Sequence, residues 1–514
     1  MPWEIAGWLG ACVLLVTIRA RLLDVPLERD EGLFAVIGRA ILDGAVPYRD
    51  VFEHKPPGVF YVYALAVAVS APTTRGLHAF LLVWCLATGA VVTLLAHRIA
   101  GRAAGVTAAF LFAFASAAPS VQGFSASSEM LLLLPLSASA LLALAACDGR
   151  TVALAFASGA LAGVTFWIKQ PAALALAAVP FHLGRRRGNA AVVSWIAGGL
   201  AATLAVVPLV VAAGWTEFWY WSVVHSSLYA AVPATARWAR LSAGVANVAR
   251  DVGPAIVAGA VGAAIAWRRG RTHAGFALAF LVLSVASAFH SQFLYRHYFA
   301  LVVPAAAAVG GAGLAWLGEL VADGRSRATA AIAALVLAIP LALRPAYWLR
   351  PDPVAVVREA LGDQGFEAAP MLADYVRDHT RPTDRIFVYG SEPEIAFLAG
   401  RRDVNPFVMV YPLTWHWPRH REFQERVWAA IEREPPAYIL VAQTPFSLVR
   451  SPRMDPFLET KLREIGARDY ALDAVLARDE DGRYRLRPVP PDPGAEPHTQ
   501  VFYELWRRRV PASG

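Results

Sequence analysis

The chain has 514 residues, of which 57% are hydrophobic and 17% charged, with a mean hydropathy of +0.45. That composition is too apolar for a soluble globular protein. The formal net charge of +8 is carried by arginine, with Lys55, Lys169 and Lys461 the only lysines, and it reads as a positive-inside signal rather than a nucleic-acid surface.

Apolar runs recur as far as residue 343, after which the composition becomes that of an ordinary soluble domain. We therefore expect a polytopic α-helical membrane protein over 1–344, with a C-terminal soluble α/β domain over 345–514. Residues 5–23 lack a basic flank and a cleavage pattern, so they read as an uncleaved span. A charge-dense stretch follows, from Glu28 to Lys55. In it, Leu33, Phe34, Ile37 and Ile41 share one helical face, with Gly44 and Pro47 as stop signals, predicting a helix lying flat on the membrane. The apolar run 59–71 is short for a crossing and is expected to be juxtamembrane or re-entrant.

Further candidate spans lie at 76–96, 103–119, 130–147, 151–168, 171–183, 190–213, 254–267, 274–289, 298–318 and 328–343. Basic clusters fall in alternate loops: Arg98 with Arg102, Arg150, Arg185 to Arg187, Arg268 to Arg271, and Arg325 with Arg327. These loops are expected inside, giving about eleven spans with the N-terminus in and the C-terminal domain out. Arg19 and Arg21 sit at the outer end of the first span, against that rule, where they either snorkel or help to bind an anion. Cys12, Cys85 and Cys147 lie in or beside apolar runs and imply neither a disulfide framework nor a metal cluster.

The chemistry-bearing residues collect in the outward loops. Asp30 is either a helix cap or a functional acid. Glu129 is the only acid between Glu53 and Asp148, and it stands at the mouth of a span. A lone carboxylate there is either a solvated helix-terminal charge or a functional group with a partner. Asp30 and Glu129 on one face suit general-base and electrostatic roles. Lys55 and Lys169, the two lysines of the membrane half, fall on the same side, and lysine offers a compact charge for phosphate. Lys169 is equally readable as a snorkelling residue. Asp30, Glu31 and Glu129 form no clear metal-ligand cluster and suit only weak Mg²⁺ or Mn²⁺ binding. The aromatic run from Phe218 to Trp221, with His225 and Tyr229, reads as an interfacial belt, and Arg296, His297 and Tyr298 offer further donors.

After Arg350 and Pro351, helices are predicted at 371–379, 391–398 and 421–433, and strands at 385–390, 437–441 and 500–506. No glycine-rich phosphate loop or nucleophile elbow occurs in this part. The patch from Tyr411 through His416 to Trp417 suits packing, glycan binding or membrane docking.

The stretch RDEGLFAVIGRAILDGAVPYRDVFEHKPPGVFYVYAL (29–65) resembles the first external loop of membrane glycosyltransferases with the C-type (GT-C) fold. The resemblance is to glycosyltransferase family 39 and its relatives, the protein O-mannosyltransferases and lipid A aminoarabinose transferases. SSEM (127–130), GVTFWIKQPA (163–172) and RHYFALVVPA (296–305) extend it over most of 1–344. It implies transfer of a hexose or pentose from a polyprenyl-phosphate carrier to a hydroxyl of a glycan, lipid or protein. The reaction would run at the outer face of the inner (plasma) membrane as a single inverting displacement, with no covalent sugar–enzyme step. By motif, Asp30 corresponds to the catalytic acid, Glu31 to its neighbour and Glu129 to the second acid, where an Asp is frequent. Lys55 corresponds to the phosphate-contacting lysine, and Arg29, His54, Lys169, Arg296, His297 and Tyr298 are the other expected substrate-binding residues. A transporter or lipid flippase is the rival reading, but no internal repeat is found and the charged sites gather at one face.

Overall fold

The computed structural model describes residues 2–149, 151–231, 237–291, 293–321, 325–349, 352–415, 417–489 and 500–509. Arg150, Arg350, Pro351 and His416, named above, lie outside the described residues.

The first helices are α1 (Pro2–Ala20), α2 (Arg29–Leu42), α3 (Gly58–Val69), α4 (Thr74–Ala100), α5 (Arg102–Ala115), α6 (Ser128–Gly149) and α7 (Val152–Ile168). Among the described residues, four helical stretches are long and apolar enough to cross a bilayer: Thr74–Ala100, Ser128–Gly149, Asn189–Ala213 and Arg296–Leu320. A fifth candidate is a pair, Trp238–Asp251 and Gly253–Arg268, bent by 74°. Five shorter apolar helices accompany them, including α3, α5 and α7. The expected run 103–119 ends as a helix at Ala115, and 171–183 is a tight turn of helix over Gln170–Ala177 followed by Ala178–Arg187. Pro171 in the first turn and the missing i→i−4 bonds there explain the irregularity.

Small residues set the packing. The Arg296–Leu320 stretch is almost wholly buried and runs through the middle of the helices, whereas Asn189–Ala213 is mostly unburied and lies at the edge. Gly259 and Gly262 meet Gly310 and Gly313 backbone to backbone, so any side chain there would separate the two helices.

α2 forms as the sequence predicts but is capped differently. Glu28, not Asp30, is its N-cap, in a reciprocal capping box with Glu31. Its apolar face does not meet lipid: Leu33, Phe34 and Ile37 are buried in protein. Gly38 abuts the Tyr63–Ala64 backbone of α3, and Gly32 abuts Glu394 from the C-terminal part.

That part carries a six-stranded sheet: β1 (Arg385–Tyr389), β2 (Arg402–Asp403), β3 (Tyr438–Ala442), β4 (Tyr470–Arg478), β5 (Tyr484–Pro488) and β6 (Gln500–Arg508). The strand order is β2-β1-β3-β6-β4-β5. β1 pairs in parallel with β2 and β3, and the remaining pairs are antiparallel. β1 and β3 are buried and almost wholly apolar, as expected of strands covered by helices.

The described residues of the 215–251 region are largely helical rather than a plain loop, over 215–230 and over Arg237–Asp251. Its aromatic run divides in two. Trp215 and Trp219 are exposed and stacked 5.5 Å apart. Phe218, Trp221 and His225 are buried, with Trp221 packed on Phe407 and Phe423 of the C-terminal part, so the belt reading fails for them. Arg19 is buried within the protein, and both Arg19 and Arg21 are hydrogen-bonded to backbone carbonyls. Arg19 donates to the carbonyls of Gly123 (3.2 Å) and Ser116 (2.6 Å), and Arg21 to those of Trp348 and Leu349.

Candidate active site

A cavity of about 1120 Å³ opens between the helices and the C-terminal part, and Asp30, Lys55, Lys169 and His297 are in its wall. Three separate loops bring these groups together, and each is held by a definable contact.

The first is the turn after Lys55. Pro56-Pro57 leads into α3, and Gly58 lies so close to α7 that a Cβ on it would stand 2.5 Å from the Trp167 carbonyl oxygen. Only glycine permits this approach, and it sets Lys55 beside the end of α7, where Lys169 is the C-cap. The Tyr48 hydroxyl donates to the Lys55 carbonyl at 2.6 Å and fixes the same turn.

The second is the loop before α6. The Ala126 amide donates to Glu31 Oε1 at 2.7 Å, Ser125 Oγ to Glu28 Oε1 at 3.1 Å, and the Tyr63 hydroxyl to the Ala126 carbonyl at 2.8 Å. Glu31 also pairs with His78 Nε2 at 3.0 Å and is fully buried. Expected as a catalytic neighbour, Glu31 is instead the peg from which the Glu129 loop hangs. Burial, with Asp30 and Glu31 nearby, pushes the Glu28 carboxyl well above its usual range.

The third is the turn from Arg296, where His297 Nδ1 lies 3.3 Å from Gln122 Oε1 and Tyr298 sits under the Lys169 ammonium at 4.6 Å.

Lys55 Nζ donates to Asp30 Oδ1 at 3.3 Å and lies 4.9 Å from the Phe34 ring centroid. Burial opposes its charge, but Asp30 and Glu53 outweigh burial and raise the ammonium pKa, and Glu129 acts in the same sense. Glu53 Oε1 is 2.6 Å from His54 Nδ1 and 3.9 Å from Lys55 Nζ. Burial resists ionisation of Glu53, yet His54 and Lys55 hold its pKa down to about 2. Glu129 is buried, ion-paired to Lys169 and hydrogen-bonded by Ser128 Oγ at 2.8 Å, with His297 Nε2 at 3.9 Å.

The other expected binding residues are placed as follows. Arg29 borders the cavity, but its guanidinium is spent on the Ser391 carbonyl (2.6 Å), Glu392 (3.0 Å) and Gln364 (3.3 Å). Arg296 and Tyr298 border the cavity, as does His54. Glu53, which sequence reasoning did not single out, borders the cavity, as do Tyr229 of the aromatic run and Tyr411 and Trp415 of the 411–417 patch. Glu53 was findable as the acid beside His54-Lys55, whereas the aromatic patch around Tyr411 carries no local sign that it reaches the first loop. Asp30, Glu31 and Glu129 do not fit a metal: Glu31 turns to His78, Glu129 to Lys169, and no group of three ligand side chains converges among the described residues.

No family model and no curated protein matches this sequence. The similarity is one of fold. ArnT from Cupriavidus metallidurans in the apo state superposes with a TM-score of 0.60 at 13% identity, over 99% of this chain and 98% of that one. The same enzyme bound to undecaprenyl phosphate gives 0.57 at 14% identity, over 92% and 96%. The chain carries the GT-C fold. The GT-C fold implied by the 29–65 stretch and its companion motifs is thereby borne out.

Proposed function

We propose that the protein is a multi-pass membrane glycosyltransferase that moves a hexose or pentose from a polyprenyl-phosphate donor to an acceptor hydroxyl with inversion. The observation that carries this reading is the convergence of Asp30, Lys55 and Lys169 on one cavity, with Lys169 ion-paired to the buried Glu129 behind it. The GT-C fold supports it, as does the lipid phosphate bound by the ArnT of similar fold. Residues 1–344 would form the transferase part in the cytoplasmic membrane. Residues 345–514 would form an α/β domain on the outer side, where the arginine distribution puts the cavity.

The step balances without a covalent intermediate. The acceptor oxygen attacks the anomeric carbon as the bond from that carbon to the phosphate oxygen breaks. The electron pair leaves with the polyprenyl phosphate, and the acceptor proton passes to Asp30. Lys55 and Lys169 face the charge that develops on the leaving phosphate, in a site already neutralised by fixed carboxylates. Glu129 acts through Lys169, because both of its oxygens are engaged. Asp30 is the carboxylate with room to turn: it is the more exposed member of its ion pair, at 23%.

The test is turnover of radiolabelled polyprenyl-phosphate sugars by purified protein, wild type against Asp30→Asn. Loss of general-base catalysis predicts a fall of about 10²- to 10⁴-fold in turnover, with polyprenyl phosphate still bound. Full transfer by the variant refutes the base assignment.

A further inference from the structure

The C-terminal part grips the first loop on both sides of the proposed reaction centre. On one side Arg29 is locked to Ser391 and Glu392. On the other, the Phe52 amide donates to the Pro406 carbonyl at 2.8 Å, and the Phe52 ring stacks on Phe407 at 5.2 Å. Between these anchors Tyr411 reaches the cavity. Its hydroxyl is 2.7 Å from His54 Nδ1, 357 residues away in sequence, and donates to Glu53 Oε2 at 3.4 Å.

A chain of contacts therefore runs from Tyr411 through His54 and Glu53 to Lys55 and Asp30. Its purpose follows from the charge balance of the transfer step. Asp30 is the nearest counter-charge of Lys55. When Asp30 takes the acceptor proton, that counter-charge disappears while the phosphate still needs the ammonium in place. Glu53, 3.9 Å away and almost fully buried, is the remaining carboxylate that can hold Lys55. The Glu53 carboxylate is in turn held by His54 and the Tyr411 hydroxyl.

Resting on the function proposed above, we propose that Tyr411 is a positioning residue, through which the C-terminal part completes the active site. It orients His54 and Glu53 so that Lys55 stays directed at the donor phosphate throughout the step. The C-terminal part is then a component of the site, not an appendage to it.

The test is equilibrium binding of radiolabelled undecaprenyl phosphate to full-length purified protein, arranged as a double-mutant cycle. Tyr411→Phe, which removes only the hydroxyl, should weaken binding about ten-fold through loss of a charge-assisted hydrogen bond. Lys55→Ala should weaken it further, and adding Tyr411→Phe to Lys55→Ala should change nothing more, because the tyrosine acts through that lysine. Glu53→Gln should behave in the same way, so the result does not depend on one variant. Unchanged affinity in Tyr411→Phe, or effects that add in the double variant, would overturn the positioning role and leave the functional reading intact. Absence of lipid-phosphate binding by the wild type would overturn the functional reading, and this inference with it.

Discussion

Substituting Gly58 by alanine tests whether the two lysines owe their convergence to a backbone contact. The new methyl would stand 2.5 Å from the Trp167 carbonyl oxygen and 2.7 Å from its carbon, both backbone atoms that no rotamer change can move. Ordinary contact begins near 3.4 Å, so α3 and the end of α7 must separate by about 0.9 Å. Lys55 precedes this glycine by three positions and Lys169 follows Trp167 by two, so the strain falls on their spacing. An overpacked contact of this kind costs about 1–3 kcal/mol of stability. A displacement of roughly 1 Å at a reacting centre costs on the order of 10²-fold in rate. The assay is sugar transfer with thermal unfolding on the same detergent-purified samples. Gly466→Ala serves as the control, because a Cβ there meets nothing within 4 Å, so it should keep the wild-type rate and gain up to about 1 kcal/mol. If Gly58→Ala retains both wild-type turnover and wild-type stability, the close approach does not set the lysine spacing.

Glu31→Ala should lower the unfolding temperature strongly, by the roughly 3–5 kcal/mol that follows from stranding a buried partner such as His78. Asp30→Asn should leave that temperature nearly unchanged while lowering turnover by about 10²- to 10⁴-fold, and the two effects appearing in the opposite order would reverse the assigned roles. The depressed pKa of Glu53, about 2 against 4.5 in the unfolded chain, stabilises the folded state above pH 4.5. That contribution, on the order of 3 kcal/mol, is lost as pH falls from about 4.5 to about 2, and Glu53→Gln should flatten the stability profile in that window. A pH scan of unfolding that is the same in both proteins would contradict it. In a background lacking Cys12, Cys85 and Cys147, a single cysteine at Asp50 should react with an impermeant reagent from outside and one at Arg186 only from inside. Labelling of position 50 from the cytoplasmic side would invert the proposed orientation.

The sequence by itself determined the membrane-helical class, the amphipathic α2 and the collection of Asp30, Lys55, Glu129 and Lys169 at one end of the apolar segments. Those signals are local: hydropathy, helical period, the restraint imposed by Pro56-Pro57, and the scarcity of lysine and acid in the first half. The helix lengths were less legible, because irregular turns such as Gln170–Ala177 are as apolar as the helices they interrupt. Roles within the charged stretch were not legible either. Asp30 and Glu31 are adjacent, yet one faces the cavity and the other pegs a distant loop, because successive helical positions point about 100° apart and only the packed neighbours decide which side is solvent. Tyr411, Glu392 and Glu394 reach α2 and its loop across more than 350 residues. Such partners are chosen by tertiary contact: a buried carboxylate or cation must find its counter-charge wherever the fold provides one, and spacing along the chain carries no record of that choice.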